Sequence, residues 1–296
     1  LGKAFGGSIG IQLFLAQAAS IGFYCIAFAT PLQAIFSNIP FINKLIGEYS
    51  VLMQKQIIAA VFALIAFLLA LIGADFVAKI QMIIFIVLII SVGSIAFAPL
   101  IYPASSTGSP FANNINLTNS ISILGFWAAF TTFFPAVTGI DAGVGMSGKL
   151  QNPRKSLPKG TFFAVGITLL VYLGIAFIFS LLPAEKLFFI DTNGDLANIP
   201  ANEIFSSIPL ISILLLTGIL VASGSSGIAY FLTAPRTAQA LSRDNVLPGF
   251  LNFLGYDFAR GGKEPRWATV LTFLIVLGII ALGKIADNEA VRILEK

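Results

Sequence analysis

Residues 133–148 read FFPAVTGIDAGVGMSG, which places one proline, four glycines and an acid inside an apolar stretch of membrane-spanning length. Proline removes a helix hydrogen bond, and each glycine destabilises a helix by about 1 kcal/mol. A continuous helix is therefore poorly specified, and the pattern predicts a break near 137–142. Unwound backbone at membrane depth is tolerated where it lines a cavity, and its freed amides and carbonyls then become ligands. This stretch predicts a secondary transporter.

Other interpretations of the same stretch stay open. Gly139 and Gly143 have the small-xxx-small spacing with which membrane helices pack closely, and that role needs no ligand. Asp141 lies in the predicted break, where an acid caps the second half-helix, coordinates a cation or carries a coupling proton. Because carboxylates inside membranes are rare and usually functional, the sequence favours a binding site over simple packing.

The composition places the whole chain in a membrane. Of its 296 residues, 57% are hydrophobic and 10% are charged, whereas soluble domains average about 45–50% apolar and 25% charged residues. That balance excludes soluble enzymes, and the lack of histidine in the sequence removes the usual general base and commonest metal ligand. We therefore predict that the chain is not an enzyme and has no cofactor. A formal charge of +4 is too small to suggest nucleic-acid binding.

Apolar runs of spanning length recur along the chain, since about 20 apolar residues cross about 30 Å of hydrocarbon. They predict one transmembrane domain over 1–296. No stretch alternates with period two, which excludes barrel strands. An odd number of spans and a start at Leu1 lead us to expect a fragment of a longer protein. The predicted spans are 8–36, 56–74, 77–99, 121–148, 160–182, 208–233 and 267–283.

Basic residues predict the orientation, because cytoplasmic loops are enriched in Lys and Arg. With the N-terminus inside, eleven of the 17 basic residues lie on the cytoplasmic side. The connection 149–159 carries four basic residues and no acid, whereas 184–207 carries four acids and one lysine. We expect the 149–159 and 235–265 loops to be cytoplasmic and the protein to lie in the plasma membrane.

A second polar cluster, Ala-Ser-Gly-Ser-Ser-Gly, occupies residues 222–227 of the sixth predicted span. Serine hydroxyls in membrane helices usually bond to the preceding turn or to a neighbouring helix. Alternatively, hydroxyl and carbonyl oxygens bind a small hard cation such as Na⁺ without a carboxylate. The residues alone leave both interpretations open.

Two long motifs and one short one resemble a known family. Residues 133–160 resemble the sixth helix and following loop of the cation–chloride cotransporters, which belong to the amino acid–polyamine–organocation superfamily. Residues 234–248, with Glu-Pro-Arg at 264–266, are similar to that family's eighth helix, inner segment and ninth helix. The opening segment 5–10, followed by Tyr24, resembles its third helix. Together these motifs are distributed along almost the whole chain.

The resemblance implies an all-α membrane protein with the LeuT-like five-plus-five inverted-repeat fold, in which the first and sixth helices are broken around a central site. This chain would hold the third to ninth helices. The implied activity is symport of Na⁺ and/or K⁺ with Cl⁻ by alternating access. The implied partners are the lipid bilayer, small inorganic ions and a second copy in a homodimer. An amino-acid permease of the same superfamily is the runner-up, and a non-transporting membrane subunit is the third hypothesis.

The resemblance also implies ion-binding residues on the broken helix and on the third helix. The family's potassium site would fall on the Tyr24 hydroxyl and on oxygens of Pro135 and Thr138. Its chloride site would fall on the backbone amides of Gly139, Ile140 and Asp141.

The implied sodium site would use the Ala222 carbonyl with the Ser225 and Ser226 hydroxyls, so the resemblance favours the cation interpretation of this cluster. One residue departs from the family: animal members carry an uncharged residue where this chain has Asp141. An ionised carboxylate a few ångströms from a bound anion costs several kcal/mol in a low-dielectric site. Asp141 is therefore expected either to be protonated or to replace the anion and its charge.

Overall fold

The computed structural model of the chain describes residues 2–97, 127, 143, 152–182, 188–190, 196–198, 208–257 and 265–294. All structural statements below concern this part of the chain. The described helices are α1 (Gly2–Ser37), α2 (Pro40–Ile46), α3 (Val51–Ile72), α4 (Ala74–Ile95), α5 (Pro153–Ser180), α6 (Pro209–Arg243) and α7 (Arg266–Leu294). A 3₁₀ helix over Gly249–Gly255 lies between α6 and α7.

Six of the described helices are long and apolar enough to cross a membrane. The prediction of a helical, multi-pass membrane protein is therefore confirmed. The predicted span 121–148, with its break, lies outside the described residues apart from Trp127 and Gly143. The six candidate spans are Phe5–Ser37, Val51–Ile72, Phe76–Ile95, Pro153–Ser180, Pro209–Arg243 and Arg266–Gly283.

Local sequence signals set the ends of α3. The Ser50 hydroxyl accepts a hydrogen bond from the Met53 backbone N–H at 3.3 Å, which satisfies one of the donors that a helix start leaves open. The helix ends before Gly73, whose φ of 124° is a backbone conformation that glycine adopts without strain. Between these two residues the run from Ile57 to Ile72 is apolar, so the sequence specifies both ends of the helix and its apolar body.

A short β-hairpin is the one departure from an all-α chain among the described residues. Strand β1 (Phe188–Ile190) pairs antiparallel with β2 (Leu196–Asn198), and Phe189 lies opposite Ala197. Each strand has three residues, which is too short for a period-two pattern to be recognised in sequence. The prediction of an all-α chain therefore missed this hairpin, although the helical class holds.

The described residues form two compact units. The first unit holds the described residues up to Phe85 and those from Ile219 onward. In it α1, α3 and α7 pack around a common apolar core together with the later part of α6. Stacked aromatic pairs tie the helices together, with ring centroids 4.1 Å apart for Phe28 and Phe62 and 4.6 Å apart for Phe67 and Phe273.

Side-chain amides and a hydroxyl add hydrogen bonds between the helices of the first unit. Gln33 Nε2 of α1 donates to Gln54 Oε1 of α3 at 2.9 Å. Gln56 Nε2 of α3 donates to the Ile280 carbonyl of α7 at 2.8 Å. Thr237 Oγ1 of α6 donates to Gln17 Oε1 of α1 at 3.0 Å. Interhelical hydrogen bonds of this kind in membrane proteins contribute about 0.6–2 kcal/mol each.

The second unit holds the described residues between Ile86 and Gly218. Its small apolar cluster joins α4, the end of α5 and the start of α6. Gly218 permits a close approach there, because a Cβ at this position would overlap the Ser91 hydroxyl. The buried members of the cluster are Ile95, Leu182, Ile211 and Leu215.

Candidate functional site

The predicted site residues divide between described and undescribed parts of the chain. Those on the predicted broken helix lie outside the described residues. Tyr24 and the serine cluster are described, and both lie in the first unit. The geometry below therefore concerns these two groups. The predicted residues outside the described part are Pro135, Thr138, Gly139, Ile140 and Asp141.

Tyr24 lies on α1, and 8% of it is exposed. Its ring stacks on that of Tyr230 of α6, with the ring centroids 5.8 Å apart and the planes at 19°. The Phe23 ring meets Tyr24 edge-on at 5.6 Å. Aromatic pairs at these separations contribute about 0.5–1.5 kcal/mol beyond the area they bury. The ring of Tyr24 is thus held by its neighbours.

Glycines of the polar cluster let α6 approach α1 and α3 closely. A Cβ at Gly224 would lie 3.4 Å from Phe28, and one at Gly227 would lie 3.3 Å from Phe62 and 3.6 Å from the Tyr24 Cβ. Contacts of this length leave no room for a larger side chain. One face of the cluster therefore serves packing, as small residues commonly do between membrane helices.

The three serines of the cluster do not have the same surroundings. Ser223 is 8% exposed, and its hydroxyl donates to the Ile219 carbonyl at 2.8 Å, within its own helix. The local-bonding interpretation is therefore correct for Ser223. Ser225 and Ser226 are half-buried, as is Ala222.

Ala222, Ser225 and Ser226 share one face of α6. They are spaced by three and four residues, and residues at this spacing lie above one another on a helix that turns about 100° per residue. Gly224 and Gly227 lie on the opposite face, against Phe28, Phe62 and Tyr24. The side of α6 that carries the two hydroxyls thus differs from the side that packs.

The shared face offers a hard cation only neutral oxygen ligands. Hard cations prefer oxygen, and each serine hydroxyl has two acceptor lone pairs. The Ala222 carbonyl accepts a backbone N–H inside α6 and keeps a second lone pair. These three oxygens form part of a coordination shell, so further ligands have to come from another segment.

A family model described as amino acid permease matches the chain over residues 1–296. The chain belongs to the amino acid permease family. Permeases carry solutes through membranes and do no covalent chemistry on them. The prediction that the chain is not an enzyme is therefore confirmed.

Curated relatives of the chain extend the comparison. It is 29% identical over 334 residues to human solute carrier family 12 member 2, covering 96% of this chain and 26% of that protein. It is 26% identical over 322 residues to human solute carrier family 12 member 1, covering 96% of this chain and 28% of that protein. The chain thus spans about a quarter of the length of these relatives. The resemblance to the cation–chloride cotransporters is confirmed.

Sequence reasoning missed Tyr230, although a signal for it was present. Tyr230 follows Gly227 by three residues, so both lie on the same side of α6. A residue one turn after a close-packing glycine lies on the same helix face, so its side chain meets the same neighbouring helix. Here that neighbour is Tyr24.

Proposed function

We propose that the full-length protein is a secondary active transporter that moves Cl⁻ together with Na⁺ and/or K⁺ by alternating access. The proposal is supported by similarity to solute carrier family 12 members over 96% of the chain. The observation that carries the proposal is that opposite faces of α6 have different roles. Ala222, Ser225 and Ser226 are half-buried on the face of α6 opposite Gly224 and Gly227, which approach α1 and α3, and Ser223 bonds within its own helix.

In this proposal the two cations bind at different places. Na⁺ is bound by the Ala222 carbonyl and the Ser225 and Ser226 hydroxyls. K⁺ is bound by the Tyr24 hydroxyl with oxygens of Pro135 and Thr138. Because Tyr24 packs on the other side of α6 from the serines, each cation site has its own residue set on the described helices.

Chloride is proposed to bind the backbone amides of Gly139, Ile140 and Asp141. The Asp141 carboxylate opposes an anion when it is ionised, because two negative charges at short distance repel strongly in a low-dielectric site. Transport of Cl⁻ at these amides therefore requires protonated Asp141. If the carboxylate stays ionised, it takes the place of the anion.

An amino-acid permease is the second candidate, and the description of the family model favours it. In that case the carboxylate of the amino acid sits on the amides of Gly139 and Ile140, at the positive end of a half-helix. Asp141 then holds the substrate amine or a coupling proton. The two candidates thus use the same backbone for different anions.

Uptake into liposomes by the full-length protein separates the two candidates. Cotransport predicts uptake of rubidium, a potassium substitute, that requires chloride outside and ceases when gluconate replaces it. Empty liposomes give the background. Amino-acid uptake that proceeds without chloride would contradict the proposed cotransport.

The serine cluster allows a matched pair of variants. Ser226→Ala is expected to raise the sodium concentration needed for half-maximal uptake by about 10-fold, since losing a partner of a charged group costs about 1.5–3 kcal/mol. Ser223→Ala removes a hydroxyl that already bonds to Ile219 and should leave sodium dependence unchanged. Sodium titrations of initial uptake rates in both variants make the test. Equal sodium dependence in the two variants would refute the assigned Na⁺ site.

Asp141→Asn tests the role of the intramembrane acid. If Asp141 must be protonated for chloride to bind, the wild-type uptake rate falls as pH rises and the asparagine variant loses this pH dependence. The measurement is chloride-dependent rubidium uptake over a series of pH values, with Ser223→Ala as the unaffected control. A pH profile that the asparagine variant retains would leave Asp141 only a capping or electrostatic role.

We further propose the setting in which the transporter works. It lies in the plasma membrane as a homodimer, with the 149–159 and 235–265 loops in the cytoplasm and with no cofactor. The charge distribution supports the orientation, because the basic residues concentrate in those loops.

A further inference from the structure

A polar cavity lies at the end of α6, inside the first unit. Its volume is 320 Å³. It is separated from the proposed Na⁺ residues by sixteen residues of α6, counted from Ser226 to Ser242, which is about 24 Å along a helix. The cavity is thus distinct from the proposed ion site. Its lining residues are Ser242, Arg243, Asn245, Asn252, Gly255 and Tyr256.

The sequence after α6 builds one wall of this cavity. Asn245 has a φ of 53°, its N–H donates to the Ser242 carbonyl at 3.1 Å, and the Val246 N–H donates to the Leu241 carbonyl at 3.0 Å. This is a Schellman cap with asparagine in the left-handed position. The cap reverses the chain, so the 3₁₀ helix returns beside the last turn of α6.

Side chains of α6 hold the 3₁₀ helix in place. Ser242 Oγ donates to the Asn252 carbonyl at 3.2 Å, and Arg243 Nε donates to the Gly255 carbonyl at 2.9 Å. Gly255 is needed for the close approach, since a Cβ there would lie 3.2 Å from Ser242 Oγ. The Arg243–Gly255 bond uses one of the five guanidinium N–H groups and fixes the direction of the side chain.

The lining favours an anion. Arg243 supplies a full positive charge, and the side chains of Asn245, Asn252 and Tyr256 supply neutral donors. No acidic residue is among the described residues that line the cavity, since the exposed Asp244 is not part of the lining. The C-terminal end of α6 contributes about −0.5 of a charge, which is smaller than the charge of the guanidinium. The lining residues therefore carry a single formal charge, and it is positive.

We propose that this cavity binds a phosphate-bearing ligand through Arg243, Asn252 and Tyr256. A planar guanidinium matches the paired oxygens of phosphate, and charge-assisted bonds of this kind are the strong ones. The volume exceeds that of a bare phosphate and leaves room for an attached small group. The phosphate comes either from a free compound or from a lipid headgroup.

Two binding measurements on the full-length protein test the proposal and identify the source. Equilibrium dialysis with radiolabelled inorganic phosphate in detergent tests a free phosphate. Thermal unfolding in phosphatidylcholine nanodiscs, with and without phosphatidylinositol phosphate, tests a headgroup. Arg243→Gln and Asn252→Ala are expected to weaken the response by at least about 10-fold, the effect of losing one strong charge-assisted bond.

Matched variants keep the test decisive. Asn252→Ala retains the backbone carbonyl that Ser242 uses, so it removes a donor without loosening the 3₁₀ helix. Arg154→Gln removes the same charge from an exposed position on α5 and should bind like the wild type. Binding of inorganic phosphate supports a free ligand, and stabilisation only with the phosphoinositide supports a headgroup. If neither probe acts on the folded protein, or if Arg154→Gln weakens the response equally, the proposal fails whatever the protein transports.

Discussion

Replacing Gly227 with leucine is expected to destabilise the protein more than any other single change considered. A Cβ at this position would lie only 3.3 Å from Phe62 and 3.6 Å from the Tyr24 Cβ. The remaining leucine atoms would therefore force α6 away from α1 and α3. Overpacking of a tight core costs about 1–3 kcal/mol and sometimes more. We expect a lower midpoint of thermal unfolding in detergent, measured by fluorescence.

Gly278→Leu is the control for this prediction. Gly278 is exposed on α7, and nothing lies within 4 Å of a Cβ built there. Leucine also has a higher helix propensity than glycine, so this variant should be neutral or slightly stabilising. Equal unfolding midpoints for the Gly227 and Gly278 variants would contradict the close packing of α6 described above.

Tyr24→Phe is expected to have a large effect on the transport of rubidium. The variant keeps the ring that stacks on Tyr230, and therefore the packing, but removes the hydroxyl proposed to bind K⁺. Losing one ligand to a charged group costs about 1.5–3 kcal/mol, which corresponds to at least about a 10-fold rise in the rubidium concentration for half-maximal uptake. Titration of rubidium uptake in liposomes measures this change.

Phe23→Leu is the control for Tyr24→Phe. Phe23 touches the same tyrosine edge-on but is 51% exposed and carries no ligand atom. Its replacement should leave the rubidium dependence close to that of the wild type. Unchanged rubidium affinity in Tyr24→Phe, with normal sodium and chloride dependence, would contradict the assignment of Tyr24 as a K⁺ ligand. It would not contradict the Na⁺ site proposed at the serine cluster.

The sequence was sufficient to predict the features that depend on composition and on the spacing of residues along a helix. Long apolar runs predict membrane helices because the bilayer imposes their length. The shared face of Ala222, Ser225 and Ser226 follows from their spacing alone once α6 is helical. The short hairpin and the 3₁₀ helix were missed, because three to seven residues carry too little periodicity to be recognised.

Contacts between distant parts of the chain could not be predicted from the sequence. The hydrogen bond from Gln56 to the Ile280 carbonyl joins residues 224 positions apart, and the sequence around either residue does not predict it. The stack of Tyr24 on Tyr230 likewise depends on how closely α6 approaches α1. The predicted chloride site was argued from proline and glycine in the segment around Asp141, which lies outside the described residues.

The hydrogen bonds between helices of the first unit have a mechanical consequence. Sliding α3 by one helical turn, about 5.4 Å, relative to α1 and α7 would break both the Gln33–Gln54 and the Gln56–Ile280 bonds. Each broken bond would take a hydrogen-bond partner from a partly buried side-chain amide, which costs free energy. Shear between these helices is therefore resisted at every step, whereas motion of the unit as a whole breaks none of the bonds. The hydrogen bonds thus oppose sliding of α1, α3 and α7 past one another and do not oppose their movement together.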